Sequence, residues 1–400
     1  MSARAYNSDM KRSFWIVSLA FLAVLALPTA SFATTYVISR IATTTGNTFA
    51  VAFVPGQSKA YSTNSNAGTV SIINTASRTS VGAPITVGNR PNFVSVNSNG
   101  TYALVSNTWD SSVSVIDVST DSVTHTITDP NWYITRGTAF LPGTSTALVA
   151  DSGNDAIALV DAATGAANPV EIHVGTSPEY IGITPNGAFA YVANFGSNNV
   201  SVIDLQSNTV VATIPVATQP SWVAITPDGT KALVLNWGSD SISVINTVTN
   251  TVVSTISGLN EGASGSLSSI ALTSDGRFAY ISRQYETHLS VIDVATMALT
   301  APVEIGVTTY GISVSAMSGQ LLTANLWDNS VSLIDLVDDV APSSSSSPAS
   351  SSGGISHQLA STGALPPVEL WVSSALLIVG LGIALRIWAG VGNHNNPRRD

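Results

Sequence analysis

The sequence predicts an all-β fold: a seven-bladed β-propeller of four-stranded antiparallel blades, closed by an N-terminal strand that joins the last blade. Three observations predict it. First, an apolar residue followed by Asp or Asn recurs at Ile73-Asn74, Ile116-Asp117, Val160-Asp161, Ile203-Asp204, Ile245-Asn246, Ile292-Asp293 and Ile334-Asp335. The polar members lie 43, 44, 43, 42, 47 and 42 residues apart, the period of a four-stranded blade. Second, each period consists of short runs that alternate with period two and end in turn residues, which leaves no room for helices. Third, the last copy is short. Residues 311–337 offer only three strands, and residues 35–41 (TYVISRI) resemble residues 209–214 (TVVATI) of a complete copy. Pairing the first strand with the last blade removes the two open edges of an unclosed array.

Taken in chain order, residues 1–33 read as a secretory signal. Arg4, Lys11 and Arg12 precede an apolar run over residues 14–27, and Ala30-Ser31-Phe32-Ala33 offers small residues for cleavage. Residues 34–340 form the propeller. Its clearest repeat alternates over residues 180–184, turns at Pro185-Asn186-Gly187, and continues with strands over 188–193, 199–204 and 209–216. Pro-Asn-Gly and the later Pro227-Asp228-Gly229 supply the positive-φ positions that tight hairpins need. Residues 341–358, rich in Ser, Pro, Ala and Gly, make a linker that buries no core. Leu359-Ala360-Ser361-Thr362-Gly363 follows, then an apolar stretch over 368–388 long enough to span a membrane, and a tail over 389–400 with Arg398-Arg399.

Two resemblances follow from these residues. Tyr191-Val192-Ala193-Asn194, Asn199-Val200-Ser201-Val202-Ile203-Asp204 and Ile225-Thr226-Pro227-Asp228-Gly229 resemble the YVTN β-propeller repeats of bacterial and archaeal surface proteins. That likeness implies the fold and leaves structural, adhesive and enzymatic roles open. The C-terminal order of linker, motif, span and basic tail resembles the Leu-Pro-x-Thr-Gly sorting signal of sortase substrates. Leu359, Thr362 and Gly363 match and Ala360 departs, since the family has Pro there. The resemblance implies sortase cleavage between Thr362 and Gly363 and joining to the cell wall; a plain membrane anchor is the alternative. Both readings place the propeller at the cell surface.

Composition excludes several roles. Between Thr34 and Ala341 there are eight Lys and Arg against 21 Asp and Glu, a net charge of −13, so a phosphate backbone is repelled and nucleic-acid binding is not expected. Cysteine is absent, which removes disulfides and thiolate chemistry. His125, His173 and His288 fall in different repeats, so no metal site and no cofactor are expected. No strand–Gly-x-Ser-x-Gly–helix elbow occurs. In the strands expected to line the channel, over residues 49–53, 93–97, 137–141, 180–184, 222–226, 269–273 and 311–315, no Asp or Glu appears. Glu179, Glu261, Arg90 and Arg136 sit just outside them, a candidate polar cluster at the channel mouth. An enzyme is therefore not expected.

The remaining candidate is one face of the ring. Loops between second and third strands carry Trp109, Phe195, Trp237, Tyr285 and Trp327 beside Asn and Asp, and connections between blades add Trp132, Tyr133, Tyr180, Trp222 and Tyr310. Of these, Trp109, Trp132, Tyr133, Phe195, Trp222, Trp237, Tyr285 and Trp327 are the candidate ligand-binding residues, since aromatic planes beside polar groups suit a glycan or a protein partner. Packing between blades is the competing role for the same residues. The insertion at 258–266 breaks the symmetry on this face. Surface binding or adhesion is the leading function. A structural envelope component and an extracellular lactonase- or lyase-like enzyme are the alternatives.

Overall fold

The computed structural model describes residues 36–168, 171–259 and 267–336. The chain divides into two compact units, Met1–Val340 and Ala341–Asp400, and every described residue lies in the first. The expected signal, linker, sorting-like motif, membrane span and tail lie outside the described residues, as do Glu261 and most of the 258–266 insertion.

Seven antiparallel sheets follow one another along the chain. Blade 1 runs from its inner strand Thr48–Phe53 through Lys59–Asn64 and Thr69–Asn74 to the outer strand Thr79–Thr86. The other inner strands are Pro91–Val96, Thr135–Phe140, Pro178–Ile183, Pro220–Ile225, Leu267–Leu272 and Thr309–Val314. In blades 3 and 6 the outer strand is broken into two short pieces, Ala166–Ala167 with Ile172–His173 and Ala298–Leu299 with Val303–Glu304. The seventh sheet has the predicted closure: Val37–Ala42 pairs antiparallel with Ser330–Asp335, Val37 opposite Asp335 and Ala42 opposite Ser330.

The core lies between blades. Tyr61, Val70 and Ile72 of blade 1 pack against Ala103, Val105 and Ile116 of blade 2, while Leu104, Val113 and Val115 from the other side of blade 2 meet Ala147, Val149 and Ala158 of blade 3. A middle strand is therefore buried on both faces, and its polar members need internal partners. Ser71, Ser114, Ser201, Ser243 and Ser332 are all buried. Each accepts a hydrogen bond from the amide of the Asn that ends the preceding strand: Asn64, Asn107, Asn194, Asn236 and Asn325, at 2.9–3.0 Å. The same amides also reach the residue two positions earlier in the third strand.

The repeated Asp or Asn that ends each third strand has a different task. Asp204 accepts from the backbone N–H groups of Gln206 and Ser207, both at 2.9 Å, and Asn74 and Asn246 cap their turns alike. The closing blade has no such turn, because its outer strand arrives from the other end of the chain. There Arg78, from the neighbouring blade 1 turn, donates to Asp335 at 2.6 Å and to Ser39 at 2.8 Å. One guanidinium thus ties both sides of the seam.

Candidate functional site

Inner strands start, and second strands end, at one face of the ring: Pro178 pairs with Asn194 and Pro220 with Asn236. This loop face carries the second-to-third-strand turns and the connections between blades. Its turns end in a left-handed residue, among them Ser111, Asp155, Asn198 and Asn329, whose φ values are 48–55°. The side chains of these four accept backbone N–H groups from the next connection. Asn329 holds Gly46 and Asn47 at 2.9 and 3.0 Å, Ser111 holds Ile134 at 3.1 Å, Asp155 holds Ser177 at 2.8 Å and Asn198 holds Gln219 at 2.8 Å. Blade is clasped to blade, so the face is a rigid platform rather than a set of loose loops.

On that platform Trp109 is 65%, Tyr133 63%, Tyr285 58%, Trp327 57% and Trp237 42% exposed. Trp109 lies under the Arg90 guanidinium, 4.1 Å from ring centroid to Cζ. Phe195 is half-buried, its ring 5.8 Å from that of Trp237. Tyr133 lies across Gly153, where a Cβ would approach its Cδ1 to 2.2 Å; no other residue fits there. Trp132 differs from its neighbour. It is buried among Leu104, Val113, Ile127 and Val149 and serves the core.

Trp222 is not in a connection. It belongs to the inner strand Pro220–Ile225 and is half-buried near the axis, as are Tyr180 and Tyr310 in their own inner strands. Tyr180 and Trp222 stack at 3.6 Å with planes 16° apart. Phe93 stands 6.2 and 6.1 Å from them, Phe49 is 6.5 Å from Phe93, and Tyr310 is 4.1 Å from Phe49. Of these rings, Phe93, Tyr180 and Trp222 line an axial cavity of about 210 Å³ between inner strands.

Beside them is an ion pair. Arg136 and Glu179 approach to 3.5 Å in mostly buried surroundings. Burial pushes the Glu179 carboxyl up, against the pull of Arg136, and burial with the Glu179 charge pushes Tyr310 up to about 12. Both charged residues lie inside inner strands, Thr135–Phe140 and Pro178–Ile183. The expectation that those strands hold no acid is thereby corrected. The reason is a register shift at the start of every inner strand, between Pro178 and Tyr180 in blade 4, which breaks the alternation used to find strand starts. A guanidinium beside a carboxyl of raised pKa can polarise a carbonyl and move a proton. Arg90 stands apart from this pair, on Trp109.

Two blades depart from the Asn rule. Blade 3 has Asp151, fully buried, which accepts from the Tyr133 N–H at 2.9 Å and the Asn154 amide at 2.7 Å; burial pushes its carboxyl up. Blade 6 has Arg283, 1% exposed, which donates to Asp240 at 2.9 Å and to the Leu259 carbonyl at 2.5 Å. Among the described residues, no group of three or more His, Asp or Glu is arranged to hold a metal ion. A larger cavity, about 390 Å³, opens at the opposite face between blades 6 and 7, lined by Tyr36, Asp275, Phe278, Tyr280 and Leu336. It lies where the closing blade lacks a hairpin turn.

Among solved structures, the chain is similar to a hydrazine synthase of Kuenenia stuttgartiensis, with 21% identity, a TM-score of 0.66, and coverage of 74% of this chain and 98% of that one. At that identity the likeness carries the fold alone. No curated protein matches the chain. Residues 25–336 match the family described as lactonase, 7-bladed beta-propeller, and the chain belongs to that family.

Proposed function

We propose that this protein is a surface-displayed binding propeller whose ligand, a glycan or a protein, docks on the loop face. The observation that carries the reading is the set of five aromatic side chains, 42–65% exposed, on one clasped platform. Large exposed aromatics lose solvent on binding and little side-chain entropy, which makes them anchors. The segments at 1–33 and 359–388 supply export and attachment, through sortase and the cell wall or through the membrane alone. The test is binding of the purified protein to the surface of the cells that make it, and to arrayed glycans. The triple variant Trp109→Ala, Trp237→Ala, Trp327→Ala is expected to bind at least about ten-fold more weakly. Equal binding by parent and variant would refute the reading.

A second reading rests on the Arg136–Glu179 pair and the family match: an axial hydrolase acting on a lactone. Arg136 would hold the ring carbonyl and Glu179 would serve as acid or base. Its test is lactone hydrolysis by the parent and by Arg136→Gln. Turnover that falls at least about 100-fold in the variant supports an enzyme, and no turnover by the parent removes it.

A further inference from the structure

Three second strands carry a tyrosine three residues before their end: Tyr61 in blade 1, Tyr191 in blade 4 and Tyr280 in blade 6. All three are buried, and the first two satisfy their hydroxyls across the gap to the next blade. Tyr61 donates to Asp121 at 2.5 Å and Tyr191 to Asn250 at 2.7 Å. Each acceptor is the fourth residue after the Asp or Asn that ends a third strand, Asp117 in blade 2 and Asn246 in blade 5. Both have φ of 53°, the left-handed conformation that suits Asp and Asn in such a turn. Where the second strand offers Leu233 instead, the fourth residue after Asp293 is Met297, and the two share one apolar cluster. The turn residue matches the side chain it meets.

Tyr280 faces the closing blade, whose third strand ends at Asp335. It lines the far-face cavity of about 390 Å³ together with Tyr36 and Leu336, and its hydroxyl has no hydrogen-bond partner among the described residues. The fourth residue after Asp335 is Asp339, in the run Val337-Asp338-Asp339-Val340. Asp339 lies outside the described residues, three positions beyond Leu336, and three residues span at most about 10 Å. Leu336 already lines the cavity, so that reach suffices. Charge agrees as well. Arg277 lines the same cavity, its guanidinium 5.2 Å from the Phe278 ring centroid, and makes no salt bridge among the described residues. Asp275, the acid on the cavity wall, is already held by the Thr273 hydroxyl at 2.5 Å and the Arg277 N–H at 3.0 Å.

We propose that the cavity between blades 6 and 7 receives the chain's own Asp339, whose carboxylate accepts the Tyr280 hydroxyl. The contact is the one that Asp121 and Asn250 make at two other blade junctions, with Arg277 balancing the charge. It latches the seam from the blade 6 side, as Arg78 does from the blade 1 side. It also makes the chain leave the ring at the far face, away from the exposed aromatics. The latch does not depend on what, if anything, the loop face binds.

The test is a double-mutant cycle on the full chain, read by denaturant unfolding. Tyr280→Phe and Asp339→Ala are each expected to lower the folding equilibrium constant about ten-fold. The double variant is expected to lose about ten-fold as well, rather than a hundred-fold, because both changes remove one bond. Tyr191→Phe with Asn250→Ala, whose bond is present in the structure, sets the scale. Asp338→Ala is the control, and its effect is expected to add independently to that of Tyr280→Phe. The proposal is overturned if Tyr280→Phe or Asp339→Ala is neutral, if their losses add in full, or if Asp338 couples to Tyr280 instead. Native mass spectrometry of the parent provides a second measurement. A copurified small molecule that disappears in Tyr280→Phe would give the cavity to a separate ligand and overturn the proposal too; the bare chain mass is the expected result.

Discussion

The two faces of the ring treat their carboxylates in opposite ways. At the far face, Asp117, Asp204 and Asp293 lie below the ordinary carboxylate range because turn hydroxyls and N–H groups donate to them, and Asp228 falls to about 2 under the Thr226 hydroxyl and the Thr230 N–H. At the loop face, burial holds Asp151, Glu171 and Glu179 above it. The far face also uses its aromatics structurally: Tyr61 donates to Asp121 and Tyr191 to Asn250, each in a neighbouring blade. The loop face leaves five of its aromatics 42–65% exposed. One face is built to stabilise the ring, and the other carries costs that stability alone does not explain.

Arg283→Leu should produce the largest effect. It strands Asp240 and the Leu259 carbonyl beneath the loop face, and denaturant unfolding is expected to show a loss of about 3 kcal/mol. Asn236→Ala comes next, since it removes two buried bonds, to Ser241 and Ser243, at a cost of about 2 kcal/mol. If either change were neutral, the loop face would not be the rigid platform that the contrast requires.

A pH profile sharpens the comparison more gently. The loop-face acids bind protons more tightly folded than unfolded. Their stabilising contribution is full below the unfolded values, 3.8 for Asp151 and 4.5 for Glu171 and Glu179, and is lost as pH rises through the elevated folded values. Asp228 works the other way: its contribution is present above 3.8 and lost as pH falls through about 2. Thermal stability should therefore peak at mildly acidic pH. Asp151→Asn with Glu171→Gln should flatten the upper limb, and Asp228→Asn the lower. The smallest effect belongs to Trp109→Ala and Trp327→Ala, each expected to change stability by under about 0.5 kcal/mol, because these two indoles stand mainly in solvent.

How much of this the residues announce depends on whether a feature repeats. Seven copies of a strand-ending Asp or Asn gave the blade number, and the likeness of residues 35–41 to a fourth strand gave the closure seen at Val37–Ala42. The Asn at the end of the second strand was equally visible, yet its job was not. A turn cap and a cross-strand clip leave the same residue in the same place, and only burial between blades separates them. Trp132 and Tyr133 make the same point: adjacent in sequence, one is in the core and one in water, because Gly153 provides a surface only for the second. Arg136 and Glu179 were legible as polar groups at the channel mouth, but the register shift that recruits them into the inner strands was not. Asp151 and Arg283 were readable as departures from a rule, once the rule was known.

Hydroxyl-radical footprinting of the protein, free and bound to the envelope of the cells that make it, reads both faces in one experiment. Met317, 74% exposed in the turn between the inner and second strands of blade 7, reports the far face; the exposed tryptophans and tyrosines report the other. The account predicts protection of Trp109, Tyr133, Trp237, Tyr285 and Trp327 on binding, with Met317 oxidised as before. Protection of Met317 while those rings stay reactive would contradict it.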